Sequence, residues 1–317
     1  MPRQRRSKYK RINKPDELPA HRFQDTDTLI LTKAGEYRYI TTAMLQAITG
    51  LSRRVINSRT MTLFHHGYLG RRHLAHPQNG GGSSPSIHVL DYKGRTWLSQ
   101  NTDIEDRYLR SITPMSTHSP TAERELEHSL LCSHVHAVIE ATCNTNPTLR
   151  LDFWHNESKE FYTRVVDDGL THPVRPDAFS QISVLQGGEW RPYPILWEFD
   201  RSTMDHKLIR RKYRAYFILW RDHLRPTGQL DQFENIKRFR VATVTASAPR
   251  SKVGDTETRL LNLVQDAHVA DDHNIGSQLF LFTHLDDLSL NTPSDILNSI
   301  WHVGHRQTQG RRPFVEV

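Results

Sequence analysis

At 317 residues, with 36% hydrophobic and 9% aromatic residues, the chain is too long for one small module and too apolar for a disordered protein. Lysine and arginine number 42 against 35 acids, and seven of those cations stand in the first 14 residues, MPRQRRSKYKRINK, leaving the remainder balanced at 35 against 35. The excess charge is therefore an N-terminal arm, and the absence of any run of eighteen apolar residues excludes a membrane span. The arm lacks the apolar helical face of a presequence and no apolar secretory segment follows it, so the chain reads as cytoplasmic. Cys132 and Cys143, with no CxxC pair, read as buried thiols of a reducing compartment.

In chain order, residues 1–20 form the basic arm and residues 21–112 a first domain of three helices and a hairpin. TDTLILTKAG predicts a helix ending at Gly35. YITTAMLQAITG predicts another, capped by Thr41 or Thr42 and stopped by Gly50. LSRRVINSRTMTLFHHG predicts a third from Ser52 to Gly67, with Ile56, Thr60, Leu63 and Phe64 inward. GYLGRRHL and SIHVLDYKGRTWL then read as two strands joined by the Gly- and Ser-rich loop AHPQNGGGSSPS.

Two helices around a tight turn, the second basic and followed by a hairpin, give the pattern of a winged helix-turn-helix, whose second helix enters the major groove. Residues 52–73 hold five arginines and no acid. Arginine forks onto guanine and asparagine onto adenine, so Arg53, Arg54 and Asn57, beside Ser58, are the expected base readers, with Arg59, Arg71 and Arg72 nearer phosphates. The bland alternative is a winged helix used for protein contacts. Double-stranded DNA is the expected partner because basic arm, basic helix and basic hairpin coincide.

Residues 113–122, rich in Pro, Ser and Thr, read as a linker to a second domain at 123–317. That domain opens on the amphipathic helix TAERELEHSLLCSHVHAVIEATC. Its His128, Cys132, His134 and His136 do not share one helical face, so helix packing rather than zinc is the expectation. Strands LRLDFWH, PVRPDAFSQISVL and YPILWEFD follow, then the helix MDHKLIRRKYRAYFILW, the strand FRVATVTAS, the helix SKVGDTETRLLNLVQDA and the strand QLFLFTHLDDL. This order predicts an α/β mixed sheet. Segment 201–225 holds eight Lys or Arg against two Asp, a composition that suits phosphates.

An Asp177 starting one strand and Glu198 with Asp200 ending its neighbour can converge as hard oxygen ligands for Mg²⁺ or Mn²⁺. Pro176, Asp177 and Glu198 resemble the PD-(D/E)XK nuclease pattern, in which a lysine stands two residues after the second acid. Here that position is Asp200, and Lys207 or Lys212 on the next helix can supply the amine. WEFDRST with Lys212 and Tyr216, preceded by RPDA, EHSL and LDFWHNE and followed by VATVTASAPR, is similar to the replication-relaxation family of plasmid and mobile-element proteins over most of residues 23–285. The resemblance implies a winged helix joined to a nuclease-like domain and a role in replication, relaxation or mobilisation of plasmid DNA. It also implies other replication or transfer proteins, and a second copy of the chain, as partners. Two readings follow: a DNA-binding protein without cleavage, or a Mg²⁺-dependent endonuclease whose catalytic set is Asp177, Glu198, Asp200 and Lys212. No Walker GxxxxGK[ST] or GxSxG motif supports an ATPase or a serine hydrolase.

Overall fold

The computed structural model describes residues 21–73, 85–104, 109, 120–156, 161–201, 204–233, 236–246, 256–271, 279–304 and 311–315. The basic arm, the tip of the Gly- and Ser-rich loop and residues 113–119 of the expected linker lie outside them. The chain divides into two compact units, 1–137 and 138–317. The division falls within one long helix, α5 (Pro120–Thr145), which already includes residues 120–122 of the expected linker.

The first unit runs α1 (Asp25–Tyr37), β1 (Ile40–Thr41), α2 (Thr42–Thr49), α3 (Arg53–His66), β2 (Leu69–Arg72), β3 (Ile87–Leu90) and α4 (Tyr92–Asn101). The strands form one antiparallel sheet in the order β1-β3-β2. Caps set the two central helices: Thr41 Oγ1 accepts from the Met44 amide at 3.2 Å, and Ser52 Oγ from the Val55 amide at 3.4 Å. Gly50 (φ 69°) and Gly67 (φ 82°) end them in the left-handed conformation that glycine adopts without a Cβ clash.

Two expectations are corrected here. Gly35 does not stop α1; the helix runs on to Tyr37, and Gly35 is buried against Leu90, Leu98 and Leu109. The long second strand breaks at Leu90, where Asp91 caps α4. Gly94, which reads as a strand or turn residue, is needed because a Cβ there would sit 2.2 Å from the Tyr68 carbonyl oxygen.

The second unit is built on a seven-stranded mixed sheet. Its strands are β4 (Leu149–Asn156), β7 (Ala178–Gln186), β8 (Glu189–Asp200), β9 (Arg240–Thr245), β10 (Phe280–His284), β11 (Trp301–Val303) and β12 (Arg311–Arg312), in the order β12-β11-β10-β9-β8-β7-β4. β7 and β8 form an antiparallel hairpin, while β8, β9 and β10 run parallel. The parallel crossovers are helical: α6 (His206–Ile218) leads from β8 and α7 (Thr256–Ala270) from β9. A separate two-stranded hairpin, β5 (Thr163–Asp167) with β6 (Leu170–Val174), packs on α6.

Asp205 caps α6, accepting from the Lys207 amide at 2.8 Å, and Ile209, Tyr213, Tyr216 and Phe217 form its buried stripe at helical spacing. That stripe meets Leu196, Val241, Phe280 and Leu263 in the larger core of the unit. The opposite sheet face stacks Trp197 on Phe199 and packs it against Trp154, Trp301 and Phe314. Because side chains alternate along β8, Glu198 and Asp200 face the helices while Trp197 and Phe199 face away. Two acids are thereby carried under α6 and α7.

Candidate functional site

The register Ala178↔Trp197 places Asp177, one residue earlier, opposite Glu198. The backbone of β8 holds Asp177 twice: its amide donates to the Trp197 carbonyl at 2.9 Å, and its Oδ2 accepts from the Phe199 amide at 2.8 Å. Lys212, on the second turn of α6, reaches down between the two acids. Its Nζ lies 3.9 Å from Asp177 Oδ1 and donates directly to Glu198 Oε2. Tyr216, one turn further along α6, donates its hydroxyl to Glu198 Oε1. Both oxygens of Glu198 are thus engaged from one helix.

Burial dominates the electrostatics of Glu198. It pushes the carboxyl up to about 8; Lys212 pulls it back, and the negative charge of Asp177 adds to the rise. Burial likewise raises the hydroxyls of Tyr213 and Tyr216 well above the usual phenol range.

Asp200 departs from the expected set. Arg259 of α7 forks onto it, with Nε 2.9 Å from Oδ2 and Nη2 2.8 Å from Oδ1, and Thr245 Oγ1 donates to Oδ2 at 2.9 Å. Acid and guanidinium are both almost wholly enclosed, at 4% and 2% side-chain exposure. Arg259 also donates to the Met204 carbonyl at 3.2 Å. The carboxylate at the position where the nuclease pattern carries its lysine is therefore taken up in a buried ion pair.

Among the described residues, no group of three or more His, Cys, Asp or Glu is placed to hold a metal ion. Of the carboxylates expected as ligands of a divalent ion, Asp177 and Glu198 stand together about the Lys212 ammonium, and these two would be the donors. Mg²⁺ commonly takes only one or two carboxylates and completes its shell with water and substrate phosphate. The crevice lined by Glu198, Asp200, Lys212, Tyr213 and Thr243 measures about 10 Å³, enough for one water. Room at the two carboxylates would come from movement of Lys212, whose side chain is 26% exposed.

In the first unit, Arg53, Arg54, Asn57 and Ser58 are all exposed in the first two turns of α3, while Ile56, Thr60, Leu63 and Phe64 are buried. Asn57 Oδ1 accepts from Thr42 Oγ1 at 3.3 Å, which ties the start of α3 to the start of α2. Three arginines expected at phosphates are placed differently. Arg59 turns inward and forks onto the fully buried Asp27, with Nε 2.7 Å from Oδ1. Arg72 is buried, and desolvation lowers its pKa. Arg71, half-buried, lies over the Phe64 ring at 4.9 Å.

Sequence reasoning missed Arg259, Asp27 and Tyr216 as partners. The first two carry a legible signal: Arg259 shares a buried helical stripe with Leu263, Asp266 and Ala270, and Asp27 one with Ile30, Leu31 and Ala34. A charge on such a stripe demands a partner.

Mixed sheet, two crossover helices and a preceding helical unit make this an α/β protein of two compact units. Residues 31–232 match the replication-relaxation family, and the chain belongs to it. Membership suggests a role in plasmid or mobile-element replication or relaxation. No curated protein and no solved structure matches the chain. Among the described residues no helix is long and apolar enough to cross a membrane.

Proposed function

We propose that this is a DNA-binding protein of plasmid or mobile-element replication or relaxation, whose first unit reads duplex DNA as a winged helix. The observation that supports the reading is the exposure of Arg53, Arg54, Asn57 and Ser58 in the first turns of α3, the helix that follows α2 after a short turn. Those residue types at that end of that helix are the ones that contact base edges. The order helix, strand, two helices, hairpin agrees with the assignment. The basic arm supplies sequence-independent attraction to phosphates.

Duplex affinity of the full chain, measured against salt, tests the proposal. If about half of the seven arm cations meet phosphates, removing residues 2–14 flattens the slope of log K against log salt by about 3 and leaves sequence preference intact. Absence of duplex binding by the full chain would overturn the reading.

A second reading, that the other unit is a metal-dependent DNA endonuclease, is favoured by the placement of Lys212 between Asp177 and Glu198. When bound, a divalent ion supplies neutralisation of charge at the scissile phosphate. Asp177 and Glu198 would hold it, Tyr216 fixes Glu198 in place, and the Lys212 ammonium is set to orient the attacking water and to stabilise developing negative charge. Asp200, bound to Arg259, is left out of this set. Supercoiled plasmid with Mg²⁺ or Mn²⁺ is the test. Nicking that is lost in Asp177→Ala and in Lys212→Met supports the reading, and intact plasmid throughout removes it.

A further inference from the structure

Where α1 ends, Arg38 stands at φ 63° and ψ −48°, a conformation that favours glycine. The Tyr39 amide donates across it to the Tyr37 carbonyl at 2.6 Å, which makes a γ-turn of the rare, strained hand. The same carbonyl accepts from Ser133 Oγ of α5 at 3.1 Å, so the turn is held from a second side. A bulky residue keeps such a backbone only where its surroundings enforce it, and residues of this kind gather at ligand sites. The turn sets the Arg38 guanidinium over the Tyr39 ring, 5.4 Å from its centre.

Tyr39 is 1% exposed and packs with Ile87, Val89 and Leu126. Ile87 pairs with Thr41 on one side and with Arg72 on the other. Cross-strand partners share a face, so Arg72 lies on the same side of the β1-β3-β2 sheet as Tyr39, whereas Arg71 and His88 lie on the opposite side. Arg72 is 8% exposed. Burial lowers its pKa, the Tyr39 phenol partly offsets this, and the charge of Arg38 lowers it further. Among the described residues no acid pairs with Arg38 or Arg72, and Arg38 Nε and the Tyr39 hydroxyl are buried without a hydrogen-bond partner. A buried guanidinium without a counter-charge is strongly unfavourable.

We propose that Arg38, Tyr39 and Arg72 form a site for a small phosphate dianion, inorganic phosphate or a 5′-phosphate monoester. Two guanidiniums with no acid match a double negative charge, whereas each phosphodiester of a DNA backbone carries one. Forked N–H donors and a phenol O–H suit tetrahedral oxygens that only accept. Arg72 is too enclosed for a duplex backbone, but a small anion can enter beside Arg38, which is half-buried. The site uses no residue of α3 and is independent of the duplex reading.

Thermal unfolding of the full chain, in phosphate and in chloride of equal ionic strength, tests this. Phosphate at about 100 times its Kd should raise the melting temperature of the first unit by about 5 °C over the chloride value. Arg72→Met exchanges the buried charge for an apolar chain of similar length, so it should abolish the phosphate shift while melting no lower than the parent in chloride. Arg38→Gly relieves the strained turn, so it should melt no lower than the parent in chloride and lose most of the phosphate shift. Tyr39→Phe should weaken phosphate binding by about 10-fold. Thymidine 5′-monophosphate separates the two sources: a shift at lower concentration than inorganic phosphate needs assigns the monoester, and the reverse assigns the free anion. No phosphate shift in the parent would overturn the proposal. So would a clear loss of stability in Arg72→Met without phosphate, since the guanidinium would then already have a partner, or an unchanged phosphate shift in Arg38→Gly and Arg72→Met.

Discussion

Lys212 and Glu198 make a direct contact at the base of α6, in a place where burial alone would keep the carboxyl protonated near neutral pH. The sign of the resulting pH dependence follows from the raised folded-state value of about 8 against the ordinary value of 4.5. Between these values the folded protein holds a proton that the unfolded chain has released, so stability falls as pH rises. Below about 4.5 the contribution is complete, and above about 8 it has gone.

Glu198→Gln removes that titration. Urea unfolding of parent and variant from pH 5 to pH 9 should show the parent losing stability relative to the variant, on the order of 3 kcal/mol across the window. A constant difference at all pH values would mean that Lys212 holds Glu198 ionised throughout.

The Arg259–Asp200 pair makes a second, separable prediction. Each partner is buried, so deleting one strands the other's charge, and Arg259→Ala or Asp200→Ala alone should cost about 3–5 kcal/mol of stability. The double variant removes both charges and should cost clearly less than the sum, with a coupling measurable in a double-mutant cycle. Additive losses would show that the two side chains stabilise the fold independently.

What was legible beforehand follows local physics. α3 could be read to the residue because Ser52, Gly67 and the stripe Ile56, Thr60, Leu63 and Phe64 all act within one helix. The approach of Asp177 to Glu198 was legible too, because period-two alternation and one hairpin register determine it. The features that escaped depend on distant chain. Gly94 reads as a strand or turn residue until α4 is seen crossing the Tyr68 backbone. The β5–β6 hairpin exposes Val166 and Leu170, so no clear apolar alternation marks it. Arg259 reaches Asp200 across 59 positions of sequence, and nothing near Asp200 announces it.

Arg59 and Arg53 lie on the same helix and should behave in opposite ways. Arg53 is exposed, so Arg53→Ala should leave stability within about 0.5 kcal/mol and weaken binding to the preferred duplex by about 1–3 kcal/mol, with much less effect on random DNA. Arg59→Ala leaves Asp27 buried without its guanidinium and should lower stability by about 3 kcal/mol. Thermal unfolding and duplex titration of both variants check this. Equal losses of Arg53→Ala on preferred and random DNA would make Arg53 a phosphate contact.

The last prediction concerns competition between an ammonium and a divalent cation for Glu198. If Asp177 and Glu198 are metal ligands, Mn²⁺ at about 100 times its Kd should stabilise the second unit by about 2.7 kcal/mol, raising its melting temperature by about 5 °C. Because the Glu198 carboxyl must give up its proton first, the rise should be larger at pH 8.5 than at pH 6.5. Asp177→Asn should abolish it, since that substitution removes one of the two carboxylates proposed as ligands. Lys212→Met separates binding from chemistry: with the competing ammonium gone, the Mn²⁺-induced rise should grow, while any nicking of supercoiled plasmid should disappear. If the parent shows no Mn²⁺-dependent rise even at pH 8.5, the two acids are structural and the endonuclease reading falls, leaving the duplex-reading proposal untouched because it rests on α3 alone.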